Sequence, residues 1–250
     1  MILSVSRRTD IPAFYAEWFM NRVREGYALV RNPMSYHQVS RVSLDPKVID
    51  CIVFWTKNAQ PLLPYLDELG AGYPFYFQYT LNAYGQDIEP ALPPLEAKLR
   101  TFRALSDRIG AERVIWRYDP ILLTDRYSVD WHIERFEALA KALQGKTNAC
   151  VFSFIDLYPK VQNNIRSYDV RACGTDEMET LAKAFTETAP RYGMTLRTCA
   201  EAIDLESYGI RHGCCIDGEL IARLTGRTFK AKKDPNQRGE CGCLESVDIG

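Results

Sequence analysis

The sequence predicts an α/β fold: a parallel (β/α) barrel or partial barrel of about six βα units. It reads as one domain, residues 1–250, whose last part, 199–250, is a cysteine-rich metal-binding extension. Three observations carry this expectation. Short apolar runs alternate with amphipathic helical stretches, and the predicted strands start roughly 25–50 residues apart, the cadence of parallel strands joined by right-handed crossovers. Cys51–Trp55 (CIVFW) is apolar throughout, the mark of a strand covered on both faces. No Gly-rich phosphate fingerprint follows any predicted strand, which counts against the open, doubly wound dinucleotide-binding sheet that is the alternative.

Met1–Ser6 reads as the first strand. Thr9 or Asp10 caps the helix that follows, Pro12 suits its first turn and Gly26 ends it. Tyr27–Val30 and Gln38–Leu44, around Asn32-Pro33, form a hairpin or an irregular excursion. After Cys51–Trp55 come helix Pro61–Leu69, strand Pro74–Leu81, helix Leu95–Ile109 and strand Arg113–Tyr118. Helix Val129–Leu143, with Ser128 or Asp130 as its cap, leads to strand Ala149–Phe154, helix Asp176–Tyr192 and strand Met194–Thr198. Two short helices, Glu201–Ser207 and Asp217–Leu224, precede an irregular basic loop that runs to Cys241. There is no internal repeat, low-complexity tract or linker.

Composition is that of an ordinary globular chain: 46% hydrophobic, 25% charged and 12% aromatic. A net charge of −1 gives no overall attraction to nucleic acid or acidic lipid, so binding to either needs a local basic patch. The opening MILSVSRRTD places its arginines after its apolar run, the reverse of a secretory signal. No apolar stretch approaches the roughly 18 residues of a membrane span. These features predict a cytoplasmic protein, where eight cysteines read as metal ligands or buried thiols before disulfides.

Polar residues concentrate where the predicted strands end. Arg7, Arg8 and Asp10 follow the first strand, and Thr56, Lys57 and Asn58 the next. Gln78 and Thr80, Arg117 and Asp119, Ser153 and Asp156, then Arg197, Cys199 and Glu201 end the others. In a parallel barrel these ends share one rim, where sites form. Asp10, Asn58 and Asp119 could equally serve as helix caps. Arg117, inside VIWRY, must be paired or ligand-bound, with Asp119 and Glu201 as candidate structural partners. Cations and carboxylates in one mouth suit a zwitterionic or phosphorylated small molecule.

Cys51 and Cys150 lie in apolar strands and read as buried small hydrophobes. Cys199, Cys214, Cys215, Cys241 and Cys243 fall at a strand end and in loops, a distribution suited to zinc or to an iron–sulfur cluster. Their spacing matches no standard zinc finger and lacks the compact triad that marks the usual SAM-binding cluster.

Ser6-Arg7-Arg8-Thr9-Asp10-Ile11-Pro12, Phe54-Trp55-Thr56-Lys57-Asn58, Trp116-Arg117-Tyr118-Asp119-Pro120 and the close Cys241-Gly-Cys243…Ser246-Val-Asp248-Ile-Gly250 together resemble an uncharacterised bacterial family of radical-SAM-like proteins. The resemblance covers essentially the whole chain. More distantly, the Thr-Lys and Arg-x-Asp-Pro elements are similar to spore photoproduct lyase. The resemblance implies a barrel whose SAM-cluster triad lies just after the Asp-Ile-Gly element, beyond Gly250. Cys199, Cys215, Cys241 and Cys243 would then hold an auxiliary [4Fe-4S] cluster, with Cys215 preferred to Cys214 because Cys-Ile-Asp-Gly fits the family pattern. It also implies S-adenosylmethionine as cofactor and an electron donor such as flavodoxin or ferredoxin. An electron from a reduced cluster would cleave SAM, and the resulting radical would take hydrogen from a small-molecule or nucleic-acid substrate.

On this expectation Lys57, Arg117, Asp119 and Glu201 are the catalytic candidates, with Lys57 and Arg117 on the SAM carboxylate or a substrate anion. Gln78, Thr80, Ser153 and Asp156 supply hydrogen bonds, while Arg7, Arg8, Asp10, Thr56, Asn58 and Arg197 complete the cofactor-binding rim. The alternative is a zinc-stabilised nucleic-acid-binding or repair-associated module without radical chemistry. The basic run Thr228–Arg238, with Arg223 and Arg227 nearby, motivates it.

Overall fold

The computed structural model describes residues 1–157, 168–228, 232–239 and 241–250. Eight parallel strands form one sheet: β1 (Ile2–Val5), β4 (Cys51–Thr56), β5 (Phe75–Thr80), β6 (Val114–Ile121), β7 (Ala149–Phe154), β8 (Thr195–Thr198), β9 (Arg211–His212) and β10 (Val247–Asp248). Their order is β10-β1-β4-β5-β6-β7-β8-β9, and the two short edge strands do not bond to each other. The result is the predicted α/β fold, a partial barrel. β2 (Tyr27–Arg31) and β3 (Val39–Ser43) pair apart from it as an antiparallel ribbon, the predicted excursion.

Period-two alternation splits the strands between two cores. Leu3 and Val5, Ile52 and Phe54, Phe75, Phe77 and Tyr79, and Val114, Trp116 and Tyr118 face the helices. The helices are α1 (Ile11–Phe14), α2 (Ala16–Glu25), α3 (Leu66–Gly72), α4 (Leu95–Ile109), α5 (Val129–Ala142) and α6 (Thr175–Thr188). Aromatic stacking locks this layer: the Phe54 and Phe77 rings lie 4.7 Å apart and those of Phe136 and Phe185 3.9 Å apart. Ile2, Cys51, Val53 and Tyr76 point the other way. They meet Cys215, Ile216, Cys241, Cys243 and the apolar side of α7 (Gly218–Thr225). The cysteine-rich segment thus fills the face that a barrel turns inward.

The elements follow the predicted order, with local departures. Asp10 caps α1 through Ala13 N–H, and the predicted first helix breaks at Tyr15, where φ is −135°. Pro61 and Pro64 hold Gln60–Tyr65 as a 3₁₀ segment ahead of α3. Ser128 caps α5. The helix expected over Glu201–Ser207 does not form. Only a 3₁₀ turn at Glu206–Tyr208 stands there, because the Asp204 carboxylate takes the Glu206 N–H that a helix needs. β9 and β10 were not expected; two residues are too few to show a period. Among the described residues no helix is long and apolar enough to cross a membrane.

Candidate functional site

The sulfur-bearing residues come together on the inner face. Cys199 follows β8, and Ala200 beside it adopts φ 54°, a left-handed conformation costly for an alanine. Gly213 brings the next loop close: a Cβ there would meet Thr198 O at 2.9 Å. Cys199 Sγ and Cys215 Sγ are 3.6 Å apart, and Cys215 N–H donates to Cys243 Sγ at 3.1 Å. Cys241 is buried in the same cluster as Cys215 and Cys243. The four cysteines, drawn from three loops, thus gather in one buried cluster on this face.

β5 and β6 supply the wall behind them. Tyr76 O–H and Gln78 Nε2 both donate to Cys215 O, at 2.6 and 2.9 Å, and Tyr76 Oη accepts Asp217 N–H. Arg117 Nη1 lies 2.7 Å from Cys215 Sγ, and its Nε donates to Asp119 at 2.9 Å. Only 6% of Arg117 is exposed. Burial alone would weaken its charge, but Asp119, Cys215 and Cys199 hold the guanidinium firmly protonated. The Arg117–Asp119 pair predicted as a structural possibility is present, and a thiol completes it.

The thiols are unequal. Hydrogen bonding from Cys243 pulls the Cys241 thiol down to about 7, against the opposing effect of burial. The Cys199 thiol is pushed up, first by its hydrogen bond to Cys215 and then by burial. Cys214 lines a cavity of about 260 Å³ with Gln78, Ile115, Arg197 and Asp217. Burial raises its thiol to about 12.

A second group occupies the rim over β1, β4 and β5, around a cavity of about 210 Å³ lined by Ser6–Asp10, Trp55–Lys57 and Thr80. Asp10 accepts from Thr56 O–H and from Lys57 N–H, each at 2.7 Å. Burial raises its carboxyl, while those donors act to lower it. Lys57 Nζ is turned to Glu89 at 2.7 Å, and the buried Lys98 shares the same carboxylate at 2.8 Å. Lys57 is thus an ion-paired cation at the rim, where the sequence reading set it against a SAM carboxylate or a substrate anion. Asn58 accepts Gln60 N–H at the turn into the 3₁₀ segment.

Arg7 and Arg8 line that cavity, but their guanidiniums face the end of the chain. Arg7 reaches Asp234 and Ser246, and Arg8 Nε lies 3.4 Å from Asp248. Asp248 also accepts from Ser6 O–H, Arg7 N–H and Gly250 N–H. The remaining predicted residues are dispersed. Arg197 pairs with Asp217 and Asp156 with Arg238, while Thr80 reaches Asp119 at 3.3 Å. Ser153 is half-buried on β7. Glu201 does not pair with Arg117; it accepts Phe154 N–H, and burial raises its carboxyl to about 7. The Thr228–Arg238 run lies partly outside the described residues, at 229–231. Sequence reasoning missed Tyr76, Glu89 and Lys98, which sit in no motif, and Asp217, although it lies within Cys-Ile-Asp-Gly.

Fold and site together define a class: a parallel α/β partial barrel whose inner face gathers four cysteines beside an arginine. The chain belongs to the DUF1848 family, a domain of unknown function, whose profile matches residues 2–250. No curated protein matches it. Among solved structures it is similar to a candidate alpha-L-fucosidase from Bacteroides thetaiotaomicron, at 12% identity over 90% of this chain and 83% of that one. The TM-score of 0.35 is too low for any property to pass between them. Spore photoproduct lyase is not among the proteins these comparisons name.

Proposed function

We propose that this chain is a radical-SAM-type iron–sulfur enzyme in which Cys199, Cys215, Cys241 and Cys243 hold an auxiliary [4Fe-4S] cluster. The observation that carries the reading is the gathering of four cysteines on the inner face of a partial barrel, with Arg117 at 2.7 Å from one sulfur. The donor set fits the group: four cysteines are its usual ligand count, and a buried cation offsets thiolate charge. Among the described residues no three His, Cys, Asp or Glu side chains are disposed to hold a single metal ion.

A bound cluster would supply one-electron chemistry. This chain's own residues would hold and orient: Arg117 and Gln78 fix the Cys215 loop, and the Asp10–Thr56–Lys57 group shapes the rim cavity for SAM.

Protein purified without oxygen tests this. We expect about four irons and four sulfides per chain with a broad band near 400 nm, all lost in Cys215→Ala. SAM should bind the same preparation and bind more weakly to Lys57→Ala. Stoichiometric zinc without iron would sink the cluster and favour the zinc-stabilised nucleic-acid-binding module instead.

A further inference from the structure

The β2–β3 ribbon lies outside the main sheet, and its outward face is unlike the rest of the surface. Of the nine large hydrophobic side chains exposed among the described residues, eight lie between Phe14 and Val48; four of those, Leu29, Met34, Tyr36 and Val39, belong to the ribbon or its turn. Such clustering marks a contact surface. Register places Leu29 opposite Arg41 and Arg31 opposite Val39 on one face, while Ala28 and Val42 are buried behind them. From Gly26 to Leu44 the chain has no carboxylate, and its charged residues are Arg31 and Arg41.

Both guanidiniums sit over tyrosine rings. Arg31 sits 4.0 Å from the Tyr36 ring centroid and donates to Tyr36 O, and Arg41 sits 4.3 Å from that of Tyr27. Neither enters an ion pair with a carboxylate among the described residues. A stacked guanidinium loses little entropy on binding. It keeps its N–H edge for a phosphate and its outer face for a planar ring. An acid-free strip of arginines, tyrosines and aliphatic side chains is complementary to a polyanion carrying flat apolar groups.

We propose that the outward face of this ribbon binds single-stranded nucleic acid, with Arg31 and Arg41 on phosphates and the Tyr36 and Tyr27 stacks against bases. The surface is distinct from the cysteine site and the rim. It is carried by different observations from the radical-SAM reading, and either can stand without the other.

The test is fluorescence anisotropy with a labelled single-stranded oligonucleotide of mixed sequence, as RNA and as DNA, on the full chain at low salt. The double variant Arg31→Ala/Arg41→Ala should weaken binding about tenfold or more. It should also make the salt dependence shallower by about 1.4 in the slope of log K, from two phosphate contacts on a single strand. An unchanged melting curve would separate this effect from unfolding. A Tyr36→Leu variant, which keeps bulk but loses the stack, should weaken binding with the salt slope retained. No binding at low salt overturns the proposal. So does binding that survives the double variant but is lost in Lys232→Ala/Lys233→Ala, or a double variant that changes only the oligomeric state. The cluster and SAM readouts should not move in the ribbon variants.

Discussion

His132 is completely buried, and its two ring nitrogens are committed differently. Leu122 O can only accept, so Nε2 carries the proton at 2.9 Å, and Nδ1 accepts from Tyr118 O–H at 2.7 Å. Burial lowers its pKa to about 4. In the unfolded chain the imidazole takes a proton near pH 6.5, so between about 4 and 6.5 the unfolded state binds more protons. The stabilisation is full above pH 6.5 and is lost as pH falls toward 4, up to about 3 kcal/mol. Urea unfolding at stepped pH should show this slope, and His132→Gln should flatten it. A wild-type curve without slope in that window would disprove the assignment. An isolated histidine in a helical pattern says nothing of this, since the effect comes from neighbours on β6 and the loop after it.

Edge strand β10 is held to β1 less by its ladder than by one side chain. It has two residues, and beyond the ladder Ile249 N–H reaches Ser4 O at 3.2 Å. Asp248 gathers Ser6 O–H, the Arg7 and Gly250 N–H groups and the Arg8 guanidinium. Gly250 itself touches Ser6, where any Cβ would collide. Asp248→Ala would strand these donors, at a cost of about 2–3 kcal/mol. Hydrogen exchange should show the Ile249 and Gly250 amides losing protection while strands β4 to β7 keep theirs. Equal loss across the whole sheet would contradict the idea of a local clamp. The Ser-Arg-Arg and Ser-Val-Asp-Ile-Gly motifs, far apart in sequence, are two halves of this one contact.

At the scale of the molecule, the sheet has two cores and the second depends on the last fifty residues. Ile2, Val53 and Tyr76 are buried against Ile216, Leu220, Ile221 and the cysteines. Without that cover their exposure would cost roughly 5–8 kcal/mol, comparable with the 5–15 kcal/mol of a whole domain. A chain ending at Thr198 should therefore fail to reach the native state, bind a hydrophobic dye and melt without a cooperative transition. A sharp melt from that fragment would show that the cysteine-rich segment is an appendage.

The fold class, the six main strands and most helices were legible in the sequence. Apolar runs and helical periods are local signals, and burial on both sides of a parallel sheet writes itself into each strand. The gathering of cysteines at one site was legible too, as was the need to pair Arg117. What only the tertiary structure decided is which partners those residues take. Lys57 is bound to Glu89, Arg7 and Arg8 to the chain's end, and Glu201 to a backbone amide, and no spacing rule reports such contacts. β9, β10 and the 3₁₀ turn in place of a helix were hidden for the same reason. Two-residue strands and competing side-chain caps are settled by neighbours distant in sequence, whereas periodicity records only what a residue does with its own segment.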